Sequence, residues 1–376
     1  MAGGLGLWSW GAAAEPLAPV RVIVTFHQPP GASQRMLVRD LGGVVLHSYD
    51  IVPAVAAELP PSAVASLRTA PGVAMVEEDQ PVYALDTELD DSWGVKRIGA
   101  GEVHPTNSGE GIRVAVLDTG IDYGHPDLDD NYAGGWDFVN NDSDPFDDHY
   151  HGTMVAGVVA AEDNGSGVVG VAPRAELYAL KVLNHEGVGS TIHIMQALDW
   201  AVLHDMDVVN MSFGVDEYVS AFEATIRDAY EAGIVLVAAA GNANPCYGDP
   251  ATDNVRYPAR FDEVVAVAAT DQSDTRACFS STGPAVELTA PGLMVWTTTY
   301  PGGGYWYGTG TSIASPHVAG AAALALTSGM SYDDVRPWLQ GTADDLGTPG
   351  RDTWYGFGLV NVRSLLSSGV DSDGDG

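Results

Sequence analysis

The stretch Val114-Ala115-Val116-Leu117-Asp118-Thr119-Gly120 sets an ionisable side chain directly behind an apolar run. Such a run reads as a β-strand buried on both faces, and Asp118 then stands at the strand's carboxyl end. Asp-x-Gly is also an ordinary turn sequence, so the segment alone leaves a structural turn and a functional carboxylate both open. Outward from it the pattern repeats. Apolar runs at residues 177–182, 208–211, 234–239 and 264–268 alternate with helical spacing at residues 192–203 and 221–232. Strands alternating with helices predict a parallel sheet covered on both faces. This α/β unit spans residues 93–366, with its sites at the carboxyl ends of its strands.

Residues 20–85 carry a different rhythm. Strands are expected at 20–26, 44–46, 52–59 and 73–76, with a helix at 33–41 closed by Gly42-Gly43. Ser62 is expected to cap a short helix ending before Pro71-Gly72. The order βαββαβ predicts a small α+β, ferredoxin-like sandwich. Residues 86–92 are polar and acidic and read as a linker. Residues 1–19 are small and apolar, with an Ala-rich stretch suited to signal cleavage but no charged start. They read as a partial signal or a flexible leader. The tail at 367–376 carries Asp371, Asp373 and Asp375 in the first half of a D-x-D-x-D-G calcium loop, without its closing glutamate. It reads as a truncated calcium repeat or a free tail.

Of the 376 residues 45% are hydrophobic, enough for one large and one small core, which excludes wholesale disorder. Fifty acidic against 16 basic side chains give a net charge of −34, which sets the chain against nucleic acid and anionic membrane surfaces. No apolar run reaches the length of a membrane span. Only Lys96 and Lys181 are lysines; the other basic residues are arginines. High-salt solubility, work with divalent cations and a compositional bias of the source each fit this pattern. Cys246 and Cys278 can form one bridge in an exported chain or remain two buried thiols.

Two further segments join Asp118. His151-Gly152-Thr153 opens a small, apolar, helix-like run, where a capping or core histidine is the plain alternative. Gly308-Thr309-Gly310-Thr311-Ser312-Ile313-Ala314-Ser315-Pro316-His317 puts Ser312 at the start of a strongly apolar helix. Free backbone N–H groups and a positive dipole end suit a developing oxyanion there, although an ordinary N-cap serine would look similar. The chain order Asp118, His151, Ser312 separates this constellation from those of chymotrypsin and the α/β-hydrolases.

These three motifs closely resemble the signatures of the subtilisin-like serine proteases (subtilases, peptidase family S8), and the resemblance runs over about residues 20–366. The departure is Ile313, where methionine is commoner. The resemblance implies an Asp118–His151–Ser312 triad. Ser312 would be the nucleophile, His151 the proton carrier, and Asp118 the group that fixes the imidazole. It implies an oxyanion donor at Asn242, in Ala238-Ala239-Ala240-Gly241-Asn242. It also implies two substrate-binding segments, Gly187-Val188-Gly189 and Ser212-Phe213-Gly214, which add the substrate backbone as a strand. The small unit resembles the family's inhibitory, I9-type propeptide. Self-cleavage is therefore expected near Leu85–Asp86, within about three residues, with a taste for large apolar residues before the cut.

The resemblance further implies a structural Ca2+ site. Asp127 and Asn164 would give side-chain oxygens, and Glu162, Ser166 and Val168 backbone oxygens. Thr87, Asp90 or Asp91 are candidates for the remaining N-terminal ligand. Asp137, Asp142, Asp144, Asp147 and Asp148 form either a second cation site or a charged loop. A disulfide pinning the Asn242 loop is one option for the two cysteines. The expected protein is a secreted, monomeric, calcium-stabilised endopeptidase made as a zymogen, acting on polypeptides and inhibited by its own propeptide. It needs neither nucleic acid nor membrane. A silent homologue serving as a binding protein and a non-proteolytic serine esterase are the rival readings.

Overall fold

The computed structural model describes residues 19–79, 87–243, 246 and 253–368. Most of the leader, the expected cleavage site at Leu85–Asp86 and the end of the acidic tail lie outside the described residues. The chain divides into two compact units, Met1–Leu85 and Asp86–Gly376.

The first unit follows the expected βαββαβ order: β1 Val20–Phe26, α1 Ala32–Asp40, β2 Val44–Ser48, β3 Ala54–Leu59, α2 Pro61–Arg68 and β4 Val73–Glu78. Its sheet runs β2-β3-β1-β4, with every pair antiparallel. Strand alternation turns Val22, Val24 and Phe26 onto Val38, Leu59 and Leu67, which together close the core. Ser62 does not cap α2. The helix opens two residues earlier than a Ser62 cap would set it, with Pro61 in its first turn, where a fixed φ suits a helix start and the missing N–H costs nothing.

The second unit opens with three short helices, α3 Thr87–Asp91, α4 Trp93–Arg97 and α5 Ala100–Val103. Residues 87–91 are thus a helix built into this unit and not a free linker. Glu88 is buried, and Leu89 packs against the core. The sheet follows as β5 Arg113–Asp118, β6 Tyr132–Asp137, β7 Glu176–Lys181, β8 Val208–Met211, β9 Val235–Ala239, β10 Val265–Thr270 and β11 Leu288–Pro291. Helices α6 His151–Ala160, α7 Thr191–Leu203 and α8 Ser220–Glu231 lie between these strands in sequence. A hairpin, β12 Val295–Thr299 with β13 Gly304–Gly308, precedes α9 Thr311–Thr327 and α10 Tyr332–Thr342.

All seven strands are parallel, in the order β11-β10-β9-β8-β5-β7-β6. Successive side chains point to opposite faces and build two cores. Val114, Val116, Val208, Val235 and Val237 face α6 and α9, while Ala115, Leu117, Val209, Met211 and Leu236 face α7 and α8. The unit is therefore a three-layer α/β structure, as expected. The chain leaves β5 to one side for β6 and β7, then returns past it to β8. Asp118, the last residue of β5, sits where this reversal opens a crevice at the strands' carboxyl ends.

Helix α9 is buried nearly all round and is rich in small residues, alanine foremost, which lets it lie close to the sheet and to α6. At Gly320 an added Cβ would stand 2.5 Å from the Val171 side chain. A leucine there overfills this seam. In a Ser312→Ala background, Gly320→Leu is expected to cost about 1–3 kcal/mol in urea denaturation. An unchanged midpoint would show that the seam gives way.

Candidate active site

Three elements bring the motif residues together. Asp118 ends β5 and is wholly buried, with Thr119 N–H donating to its Oδ1 at 2.7 Å. His151 is the first residue of α6, and its Nδ1 meets Asp118 Oδ1 at 2.8 Å and Oδ2 at 3.0 Å. That approach requires Gly152: a Cβ on it would lie 2.0 Å from the Gly120 carbonyl oxygen. Ser312 is the second residue of α9 and lines one cavity with His151.

Asn242 follows β9, as expected, and its orientation is fixed. Its Oδ1 accepts from Thr311 N at 2.9 Å and from Thr311 Oγ1 at 3.0 Å, so the amide nitrogen is left to face the serine. Gly310, at φ +152°, marks where they converge. A Cβ there would lie 2.8 Å from Ser312 Oγ and 3.3 Å from Asn242 Nδ2.

Pro316 lies four residues after Ser312 inside α9 and has no N–H, so the serine's carbonyl loses its helical donor. The hydroxyl of Ser212 supplies one at 2.7 Å. Asn210 in turn donates to Ser212 Oγ at 2.9 Å and accepts from Ser315 Oγ at 2.6 Å. Ser212 thus has a supporting contact that the sequence reading did not assign it. Phe213 and Gly214 continue beyond β8 as irregular chain. Gly187-Val188-Gly189 is a turn tied back to Asn184, with Val188 60% exposed and a single bridge from Gly189 to Leu183. Neither substrate segment contributes to the cavity that holds His151 and Ser312.

The aspartates before His151 serve the protein's own donors. Asp147 is buried and accepts from Thr119 Oγ1, His149 N, Tyr150 N, Thr153 N and Thr153 Oγ1. Asp137 accepts from Val139 N and from Asn140 N and Nδ2, Asp144 takes the Tyr123 hydroxyl, and Asp148 pairs with Lys181 at 2.6 Å. Among the described residues no three His, Cys, Asp or Glu side chains form a metal-holding group. Of the two readings of this stretch, the charged loop is the one its internal hydrogen bonds support. The sequence hint to Asp147 was its place just before a helix start, where free N–H groups need an acceptor.

The first calcium expectation fares differently. Asp127, wholly buried, accepts from Val168 N at 3.0 Å and from Asn164 Nδ2 at 3.3 Å. Asn164 Oδ1 accepts from Ser166 N, and Glu162 N–H donates to the Asp127 carbonyl. The remaining acidic neighbour is Glu88, whose Oε1 accepts from Ser166 N. Helix α3 turns Glu88 inward, while Asp90 turns out to Lys96 and Asp91 is exposed, so Glu88 and neither of these two aspartates stands beside the loop. Burial, then the charge and hydrogen bond of Asp127, hold the Tyr305 phenol well above its usual range, with Glu88 adding to the effect. Two carboxylates withdrawn from water beside one loop of amide and carbonyl oxygens fit a hard cation.

Cys246 and Cys278 are joined, which decides between the two readings of these residues and ties the segment after Asn242 to the chain after β10.

Comparison with known proteins agrees with this geometry. Residues 109–358 match the subtilase family, and residues 23–85 match the peptidase inhibitor I9 family. Subtilisin E of Bacillus subtilis is 39% identical over 361 residues, covering 94% of this chain and 92% of the relative. The alkaline protease of Shouchella clausii is 41% identical over 323 residues, covering 85% and 81%. The thermostable alkaline protease of Halalkalibacterium halodurans is 39% identical over 354 residues, covering 93% and 92%. The chain belongs to the subtilase family. It is a subtilisin-like serine endopeptidase carrying an I9-type propeptide domain.

Burial of the His151 ring opposes its cation. The charge and hydrogen bond of Asp118, with the charge of Asp147 added, outweigh this and raise the imidazole pKa above its usual 6.5. An NMR titration of the Ser312→Ala protein is expected to place His151 above 6.5. Asp118→Asn removes the opposing charge and leaves burial dominant, so the value should fall below 6.5. A rise, or no change, would contradict this account.

Proposed function

We propose that the chain is an exported zymogen whose second unit hydrolyses peptide bonds through Ser312. The observation that carries this is the meeting of the Asp118–His151 pair, Ser312 and the oriented Asn242 amide at the carboxyl end of one sheet. His151 takes the Ser312 proton as Oγ attacks the scissile carbonyl, and later gives it to the leaving amine. Asp118 holds the Nδ1 proton, fixing the tautomer and stabilising the imidazolium. The oxyanion is received by Asn242 Nδ2 and the Ser312 N–H at the positive end of α9. Water then releases the acyl group by the same steps in reverse.

Gly187–Gly189 and Ser212–Gly214 would hold the acyl side of the substrate backbone, favouring broad specificity with large apolar residues before the cut. The propeptide unit would inhibit in cis until cleavage near Leu85–Asp86. The Cys246–Cys278 bridge supports an oxidising destination, hence secretion. No described helix is long and apolar enough to cross a membrane. A net charge of −34 disfavours nucleic-acid partners, and a monomer suffices for every step described. Ca2+ would be held by Asp127, Asn164 and Glu88, with backbone oxygens of Glu162, Ser166 and Val168, and would neutralise the two buried carboxylates.

Intact mass followed over time with calcium present tests the zymogen reading. The wild type should shed about residues 1–85 while Ser312→Ala stays whole. Two folded chains that both stay whole would sink it. Asn242→Ala should lower kcat about 100- to 1000-fold with little change in KM. In the Ser312→Ala background, calcium at one hundred times its Kd should raise Tm by roughly 5–10 °C. Glu88→Gln should shift that response to higher calcium. A Tm indifferent to a chelator would remove the calcium assignment.

A further inference from the structure

Asn164-Gly165 is the one Asn-Gly pair in the chain, and it stands in the loop that would hold Ca2+. An asparagine's side-chain carbonyl carbon lies within reach of the next backbone nitrogen, and a glycine there puts no side chain in the way. Both residues are exposed. Gly165 takes φ +91°, and a Cβ built on it would meet nothing within 4 Å, so the surroundings leave a five-membered ring room to close. Among the described residues the Gly165 N–H meets no hydrogen-bond acceptor that would hold it back.

The loop also activates the carbon. Asn164 Oδ1 accepts from Ser166 N at 3.2 Å and from Ser166 Oγ at 3.1 Å. When Gly165 N attacks Cγ, negative charge gathers on Oδ1, and these two donors already point at it. The nitrogen that must leave, Asn164 Nδ2, donates to Pro126 O at 3.0 Å and to Asp127 Oδ1 at 3.3 Å. With Oδ1 drawn onto a cation instead, the side chain is held by the same sphere as Asp127 and the backbone carbonyls, and the approach of Gly165 N is closed.

We propose that Asn164-Gly165 is a self-modification site, closed while Ca2+ is bound and open once it has left, at which loss of the side-chain amide ends the chain's ability to take Ca2+ back. In the first step Gly165 N bonds to Asn164 Cγ, the Cγ–Nδ2 bond breaks, and ammonia departs with the Gly165 amide proton, leaving a cyclic imide. Water then adds to one of the two imide carbonyl carbons and breaks its bond to nitrogen. Opening at the main-chain carbonyl gives isoaspartate, which lengthens the backbone by one carbon between Asn164 and Gly165. The carbonyls of Ser166 and Val168 then no longer meet Asp127 in one sphere. The inference rests on the calcium reading of this loop.

The full-length Ser312→Ala chain, which cannot digest itself, is held at mildly alkaline pH and well below the Tm of its calcium-free form. One sample carries a chelator and the other calcium at one hundred times its Kd. Intact mass and a peptide map are followed over time, and calcium is then returned and Tm read. The chelated sample should gain about 1 Da, carried by the peptide that contains Asn164 and present in part as isoaspartate. The rate follows the calcium-free fraction, so calcium should slow the gain about 100-fold. Aged chelated protein should need more calcium than fresh protein to reach the same Tm. Asn164→Gln keeps the side-chain oxygen but must close a six-membered ring, so it should gain no mass there and keep its calcium response after the same incubation. No gain at Asn164 under chelator, an equal gain in both samples, or an aged protein that answers calcium as fresh protein does overturns the proposal. Fresh protein whose Tm ignores calcium overturns the calcium reading, and the guard with it, before any ageing has taken place, so the two failures are told apart.

Discussion

The buried carboxylate of Asp147 is the point through which the two halves of the catalytic pair are joined. One oxygen takes the Thr119 hydroxyl, next to Asp118, and the other takes the N–H and hydroxyl of Thr153, two residues beyond His151. Thr119 Oγ1 in turn accepts from Gly152 N at 2.9 Å, and Thr153 Oγ1 accepts from Asp122 N at 2.9 Å. The end of β5 and the start of α6 are thus laced by reciprocal bonds, and the Asp118–His151 distance follows from them. An anion at a helix start also meets free N–H groups and a favourable dipole, so burying this charge is compensated where it sits. Its field reaches His151 as well and adds to the stabilisation of the imidazolium.

Small residues make the remaining convergence achievable. Three chain segments must meet within a few ångströms at one edge of the sheet, and any side chain on the facing backbone would separate them. Gly152 lets α6 touch the Gly120 carbonyl, Gly310 leaves room for Ser312 Oγ and the Asn242 amide, and the alanines of α9 bring that helix against the sheet. Close approach exposes polar backbone to burial, and the same segments carry the remedies. Pro316 frees the Ser312 carbonyl from the helix, and Ser212 answers it. The nucleophile is therefore fixed from behind by a hydroxyl on the neighbouring strand's exit, while its own hydroxyl stays in the cavity.

Strand and helix periodicity carried most of the fold into view, because the apolar runs at 114–117 and 208–211 and the helical spacing at 192–203 report burial directly. The triad positions were legible only together: each alone also fits a turn, cap or core residue, and it is the resemblance of the three motifs in order that implies their roles. What stayed hidden depends on direction and distance. Residues 86–92 look like a linker by composition, yet one turn of helix sends Glu88 inward and Asp90 outward, and composition is blind to that sign. Asp147 stood among five acids of one stretch, and only packing separates the one that joins two motifs from those, such as the equally buried Asp137, that cap turns. The bridge between Cys246 and Cys278 needed geometry. The cavity that holds His151 and Ser312 also draws on Tyr150 and on Trp306 and Tyr307, residues far apart in sequence with no shared motif, so no local pattern could have announced it.

Lysine usage gives the site its last constraint. Nearly all basic residues of the chain are arginines, and of its two lysines Lys96 is largely exposed while Lys181 is 1% exposed. The Lys181 ammonium donates to the carbonyls of Thr119 and Leu183 and to the Asp148 carboxylate. Three acceptors around one nitrogen match the three tetrahedral donors of an ammonium, whereas a planar guanidinium spreads its donors over a fork too wide for such a pocket. Thr119 is therefore held twice, its hydroxyl by Asp147 and its carbonyl by Lys181, with Asp147 and Asp148 adjacent in one loop. A surface that tolerates a charge of −34 places no demand on which cation it uses, but a buried three-acceptor pocket beside Asp118 does. Lys181 thus meets, beside the catalytic pair, a set of three acceptors that suits an ammonium better than a guanidinium.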